Sequence, residues 1–483
     1  MRLGQTSVIF FLSRFLASII GFVATLYIAR VVGPDPLGIY HLVIGLVSWL
    51  AIVGKIGVSG ALTKRVSEGT AKEEFSIAAI SVIAILFVVL SSLLLVFRPH
   101  VDSYIGYPAT GYVVLILLVV LLNAVIMSIL TGLHMVHIRG ILSTVRISGR
   151  SLFQVFLIFS GLSTVGLLAG HVAGYFLVLL IGSYLVVSNL GGISRPSTDH
   201  FRSLFDFAKY SWLGSLRGRM FNYTDVIVLG FFVSQTLIGI YAVAWNIGQF
   251  LILFSNSLRA TLFPEISELS AKQDTQAVSR ILEQALTFGG LFLAPGLLGG
   301  AILGERILRL YGPEFPQGAT VLAILIVANL IQGYQTQFLN TLNGIDRPDL
   351  AFRVNAVFVV ANLILNVVLI YLYGWVGAAV ATATSVGISL VLGYYHVDAI
   401  IDFQVPYWEI GKQWFAAFVM AGFVYSGLWV ENTFRLLGDN FATVLILVPI
   451  GAGVYFVVLL VVSREFRETV DRNLPVDLPY ISQ

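Results

Sequence analysis

Among the ionisable side chains inside apolar runs of this sequence, six draw attention: Arg14, Lys55, Arg217, Arg219 and Arg259 are basic, and Asp225 is acidic. A charge at the centre of a bilayer costs about 2.5–3.5 kcal/mol on insertion scales, so such residues face a bundle interior or an aqueous cavity. Five cations against one anion leave a surplus. Two unit charges ~4 Å apart interact by about 4 kcal/mol at an effective dielectric near 20, so a cavity built from these groups repels itself until an anion enters. A phosphate or diphosphate is the natural guest, and Arg holds one through paired hydrogen bonds. Blander roles compete at some positions. Lys55 is near the end of its run and is also placed to snorkel to lipid headgroups. Arg217 and Asp225 share roughly one helix face but stand two turns apart, too far for a direct bond, and Arg219 points elsewhere. Arg14 and Arg259 have no evident acidic partner and are expected in a cavity.

Polar stripes accompany the charges. Asn329, Gln332, Thr336, Asn340 and Asn343 recur at helical spacing, as do Asn355, Asn362 and Asn366, and Asn246, Gln249, Asn256 and Arg259 form a broader face. A single Asn in an apolar helix is usually interhelical glue. Three stripes in the second half of the chain favour a hydrated cavity that holds sugar hydroxyls. Pro264 and Pro295 sit inside apolar runs, and Pro295 is a candidate bending point.

The elements that would carry these residues are membrane helices. Of 483 residues, 58% are hydrophobic and 11% charged, against roughly a quarter charged in soluble domains. Runs long enough to span, about 20 residues, are expected at 6–30, 37–60, 76–97, 111–133, 143–163, 167–189, 207–233, 237–262, 283–304, 318–341, 352–372, 375–396, 413–430 and 441–463. The alternating segments of a membrane barrel are absent, so the fold class is all-α and polytopic with about fourteen transmembrane helices. The first run has no signal-peptide cleavage site and reads as a retained helix. Sixteen Lys and Arg, Arg139 among them, fall in the tails and even-numbered loops, and five fall in the odd-numbered loops. That bias places both termini in the cytoplasm.

The chain also repeats itself. "PLGIYHLVIG" at Pro36–Gly45 is answered by "LIGIYAVAWN" at Leu237–Asn246, and "VSEGTAKEE" at Val66–Glu74 by "ISELSAKQD" at Ile266–Asp274. Two matches at nearly one offset imply an internal duplication. The expected organisation is an N-lobe of six helices (1–190), a cytoplasmic linker (191–206), a C-lobe of six helices (207–400), and two further helices with a tail (401–483). Six is even, so the copies are parallel repeats about the membrane normal. There is no Cys, no P-loop, no zincin pattern, and no loop long enough for a soluble catalytic domain. No enzyme activity, cofactor, metal or nucleic-acid partner is expected.

The stretches "LYIARVVGPDPLGIYHL", "YTDVIVLGFFVSQTLIGIYAVAWNI" and "FLNTLNGIDRPDLAFRVNAVFVVANLILNVVLIYLYGWVGAAVATATS" resemble the polysaccharide-transporter, O-antigen flippase-like branch of the multidrug/oligosaccharidyl-lipid/polysaccharide exporter superfamily. The resemblance implies two six-helix lobes around a cavity, alternating access, and movement of a polyprenyl (di)phosphate-linked oligosaccharide across the cytoplasmic membrane. It implies a cationic cavity for the phosphate head, here matched by Arg14, Lys55, Arg217 or Arg219, and Arg259. It further implies coupling to H+ or Na+ in some members, for which Asp225 is the one buried acid. A monomer is expected, working beside glycan-assembly proteins. Two alternatives compete: a cation-coupled multidrug exporter of the same fold, which would want buried carboxylates, and a membrane polymerase or ligase, which would want a large outer loop.

Overall fold

The computed structural model describes residues 21–192 and 194–473, with the backbone alone along 209–220 and 472–473. All regular structure among these residues is helical: α1 (Gly21–Val32), α2 (Pro34–Lys55), α3 (Val58–Ser67), α4 (Lys72–Val96), α5 (Arg98–Ile105), α6 (Thr110–Gly132), α7 (Val136–Phe159), α8 (Thr164–Asn189), α9 (Thr198–Leu229), α10 (Gln235–Leu251), α11 (Leu253–Ala271), α12 (Thr275–Gly289), α13 (Leu293–Arg309), α14 (Ala319–Gly344), α15 (Pro348–Asp398), α16 (Tyr407–Phe434), α17 (Asn440–Val462) and α18 (Arg464–Asn473). Ten of the described helices or near-continuous helix pairs are long and apolar enough to cross a bilayer, and the pair α10–α11, bent by 44°, would make an eleventh. Large apolar side chains such as Val88, Phe159, Tyr184 and Val461 stand exposed on them. Water would not tolerate that surface, whereas acyl chains are as apolar as the side chains themselves. This is a multi-pass membrane protein.

Several expected spans are broken. The 37–60 run stops at Lys55 and resumes at Val58, because Ile56 and Gly57 take left-handed backbone. The 283–304 run is divided between α12 and α13. Pro295 falls in the first turn of α13, where its missing N–H goes unneeded. The expected spans 352–372 and 375–396 follow one another in α15 and are parted by Gly374 alone (φ 59, ψ −143).

Two compact units divide the chain, residues 1–242 and 243–483. The segment 191–206 lies inside the first unit. There the Gly191 amide donates to Glu73 (2.8 Å), and Ser197 with His200 caps the start of α9. Within the same unit the two Gly-Ile-Tyr motifs meet. A Cβ on Gly38 would stand 1.8 Å from the Gln235 carbonyl oxygen, and one on Gly239 would stand 1.9 Å from that of Pro34. Each glycine thus faces the residue four places before the other, the reciprocity of a two-fold contact.

A long, close seam in the first unit joins α7 and α8. Gly166, Gly170 and Gly174 recur every four residues on α8; Gly170 and Gly174 leave no room for a side chain against Gln154 and Arg150 of α7, and Gly166 fits tightly against Ile158. Small residues at this spacing let membrane helices approach closely, where dispersion and interhelical hydrogen bonds replace the missing hydrophobic drive. The Gln154 amide accordingly donates to the Leu167 carbonyl across the seam (2.8 Å).

Candidate functional site

A cavity of about 1310 Å³ lies in the first unit, walled by α2, α3, α6, α7, α8 and α9. Lys55, Arg139, Arg146 and Arg150 line it, and no carboxylate does so among the described residues. Hydroxyls and amides complete the wall, among them Ser48, Ser59, Thr63, Asn123, Ser143, Asn222 and Tyr223.

Three of the cations come from α7. Arg139, Arg146 and Arg150 are spaced seven and four residues apart, which at about 100° per residue keeps them within roughly 40° of arc. They are spread over about 16 Å of helix axis. The seam with α8 fixes this face. Arg146 Nη1 donates to the Tyr175 hydroxyl of α8 (2.7 Å), and its guanidinium carbon stands 4.9 Å from that ring's centroid. Tyr175 stacks on His171 (5.0 Å, 16°), and Nδ1 of His171 is 2.8 Å from the Tyr40 hydroxyl. Tyr40 is the tyrosine of the first Gly-Ile-Tyr motif. Arg139 Nη1 bonds Thr131 (3.0 Å). Nε of Arg146 and of Arg150 has no hydrogen-bond partner among the described residues. These donors are held in place by aromatic and backbone packing and are short of acceptors, which is costly for a buried polar group.

Lys55 is thus in a cavity, at the C-terminal end of α2. Arg14 lies outside the described residues, and Arg217 and Arg219 fall on the part of α9 whose side chains are not described. Arg259 is exposed on α11 in the second unit, and its carbonyl accepts from Asn340 (3.4 Å). Asp225 is buried and accepts a hydrogen bond from the Tyr241 hydroxyl, the tyrosine of the second Gly-Ile-Tyr motif.

The polar stripes of the second unit bond between helical segments and within them. Gln249 donates to the fully buried Asn329 (3.2 Å), Asn362 to Thr382 (3.4 Å), and Asn366 to the Asn362 carbonyl (2.9 Å). Asn246 and Asn256 are exposed, while Gln332 and Asn355 are half-buried with amide oxygens unmatched. None of these residues lines the cavity of the first unit.

Arg146 and Arg150 fall within the expected 143–163 span and are absent from the sequence-derived set of intramembrane cations. The seven-and-four spacing with Arg139 is the signal that finds them. The glycine triplet of α8 is a second signal, since it marks the helix against which α7 must pack.

A family profile described as "Polysaccharide biosynthesis protein" matches residues 3–270, and one described as MatE matches 218–368. Over 99% of both chains, the sequence is 31% identical to a probable flippase, AglR, of Haloferax volcanii. It is 29% identical to that organism's probable low-salt glycan biosynthesis flippase Agl15, over 98% of this chain and 99% of the relative. The chain belongs to the polysaccharide biosynthesis protein family. That family sits within the multidrug/oligosaccharidyl-lipid/polysaccharide exporter superfamily, and the fold agrees. The lipid II flippase MurJ in an inward closed conformation superimposes with a TM-score of 0.79 at 17% identity, covering 96% of this chain and all of that one. An inward-facing multidrug resistance MATE transporter gives 0.65 at 13% identity, covering 79% of this chain and 95% of that one.

Proposed function

We propose that this protein is a flippase that moves a polyprenyl (di)phosphate-linked oligosaccharide across the cytoplasmic membrane by alternating access, for surface polysaccharide or glycoprotein biosynthesis. The observation that carries the reading is the cavity lined by Lys55, Arg139, Arg146 and Arg150 with no carboxylate among its described walls. Cations are costly at membrane depth, and a group of them with no carboxylate among the described walls is stabilised by an anionic guest. The phosphate head supplies that guest while the prenyl chain stays in lipid. The flippase names of the full-length relatives support the same cargo. Arg14, Arg217, Arg219 and Arg259 remain candidates for further contacts with the head, and the amides of α14 and α15 for contacts with the glycan. Both termini are assigned to the cytoplasm from the Lys and Arg bias. Asp225, with Tyr241, is the candidate for coupling to H+ or Na+.

The MatE match over 218–368 favours a second reading, export of cationic drugs. The sign of the cavity opposes it, because a cationic guest would meet four like charges. The two readings separate in proteoliposomes loaded with a labelled polyprenyl-diphosphate sugar. The flippase reading expects the label to cross leaflets unmodified, and the Arg146→Gln/Arg150→Gln double variant to stop it without loss of folding. Wild-type crossing by the double variant, or ethidium export with no lipid crossing, would overturn the reading.

A further inference from the structure

Between α2 and α3 the backbone turns left-handed at Ile56 (φ 36) and Gly57 (φ 73). The break leaves the N-terminus of α3, a ten-residue helix, inside the first unit, and its N-cap residue is Gly57, which has no side chain with which to cap it. Such an end presents backbone N–H groups and roughly half a positive charge. At membrane depth a non-helical interruption is tolerated only where it is buried in protein or lines a cavity. Gly57, Ser59 and Gly60 all line the cationic cavity.

A second, independent feature points to the same spot. Asn123 of α6 is 5% exposed and lines the cavity, yet its Nδ2 has no partner among the described residues. An unmatched buried amide donor costs about 1–3 kcal/mol, and an acceptor brought by a ligand would recover it. The Ser59 hydroxyl is likewise buried and has no partner among the described residues. Register places these groups together. Gly54 packs on Leu121, and Thr63 donates to the Ser128 carbonyl (3.3 Å), so α6 runs parallel to α2–α3. Interpolating between those two contacts sets Asn123 level with the break at Ile56–Gly57.

We infer that the N-terminus of α3, the Ser59 hydroxyl and the Asn123 amide form a phosphoryl seat within the cavity, with the Lys55 ammonium one residue before the break. The seat deepens the flippase reading and rests on it. It gives the head group neutral donors of fixed direction, whereas the long guanidinium side chains of α7 supply charge. A broken helix whose N-terminus meets an anionic group at membrane depth is a geometry that membrane transporters use. Ile56–Gly57 accounts for the interruption, and Asn123 accounts for the donor left waiting.

The test uses the full-length protein in detergent, titrated with farnesyl diphosphate as probe, farnesol as the control for the prenyl chain, and inorganic pyrophosphate as the head alone. The wild type binds farnesyl diphosphate more tightly than farnesol. Asn123→Asp replaces the donor with a repelling carboxylate and weakens farnesyl diphosphate by about tenfold or more, the size expected for a lost hydrogen bond to a charged group. It leaves farnesol unchanged. Ser59→Ala, which removes only a hydroxyl, weakens the diphosphate by a few-fold and guards against a folding defect in Asn123→Asp. Pyrophosphate affinity falls in parallel, because the seat reads the head. Wild-type diphosphate affinity in both variants, with Arg146→Gln still weakened, overturns the seat and leaves the flippase reading standing. Equal binding of farnesol and farnesyl diphosphate by the wild type overturns both.

Discussion

Two helices of this protein carry one polar pattern in different chemistry. On α7 of the first unit the residues are Arg139, Arg146 and Arg150, and on the first half of α15 in the second unit they are Asn355, Asn362 and Asn366. Both sets are spaced seven and four residues apart, and each helix is followed by one bearing small residues every four positions: Gly166, Gly170 and Gly174, or Gly377, Ala381 and Ser385. The arginines line a cavity and leave donors unmatched. Asn362 and Asn366 are buried and spend their amide donors on Thr382 and on their own helix. One polar spacing thus serves two ends. A long charged side chain holds space open and waits for a counter-ion, while a short amide closes the space by bonding across it. The glycines matter equally, because α7 lies so close to Gly174 that the Arg150 side chain must leave the seam.

Exchanging the two patterns tests that contrast. The largest effect is expected from writing the second unit's residues into the first. Arg146→Asn/Arg150→Asn removes two hydrogen bonds to a charged guest at about 1.5–3 kcal/mol each. Translocation in proteoliposomes should fall at least ~100-fold while the melting temperature holds, and a smaller loss would mean that α7 does not hold the head group. The reverse exchange, Asn362→Arg, should lower folded yield and thermal stability. It buries a cation where the amide was 1% exposed, at a cost of about 2.5–3.5 kcal/mol. Unchanged stability would show that the second unit hides a comparable cavity there.

Smaller effects probe the supports. Gly174→Ala places a methyl 2.6 Å from Arg150 backbone atoms. The seam must widen, at about 1–3 kcal/mol, and the rate of crossing should fall along with stability. Gln249→Ala removes one interhelical bond to Asn329 and should cost only about 0.6–1.7 kcal/mol, seen as a slight drop in melting temperature with transport intact. A transport defect without a stability change would move Gln249 from glue to cargo contact.

Much of this was written in the sequence. The all-helical membrane class followed from apolar runs that no soluble fold could bury, and the Gly-Ile-Tyr motifs carried the expectation of a duplication. Lys55 stood out because a cation in an apolar run is conspicuous on its own. Arg146 and Arg150 were less so, since their run is more polar and their significance lies in sharing a face with Arg139. The amide stripes showed which side of a helix was polar but not what it met. Helical periodicity fixes direction about an axis and carries no information on the neighbour's distance, so glue and cavity lining look alike until the helices are placed.

Residue types and spacing by themselves determined that the chain lives in lipid, and they carried the expectations that it is built twice and that its intramembrane charge leans toward the positive. Tertiary structure decided which cations share a space and where the second span breaks. It also decided which amides are satisfied. Solvation by the bilayer acts on each residue separately and is therefore legible locally. A cavity depends on side chains from helices distant in sequence, and on the glycine contacts that set how near those helices come.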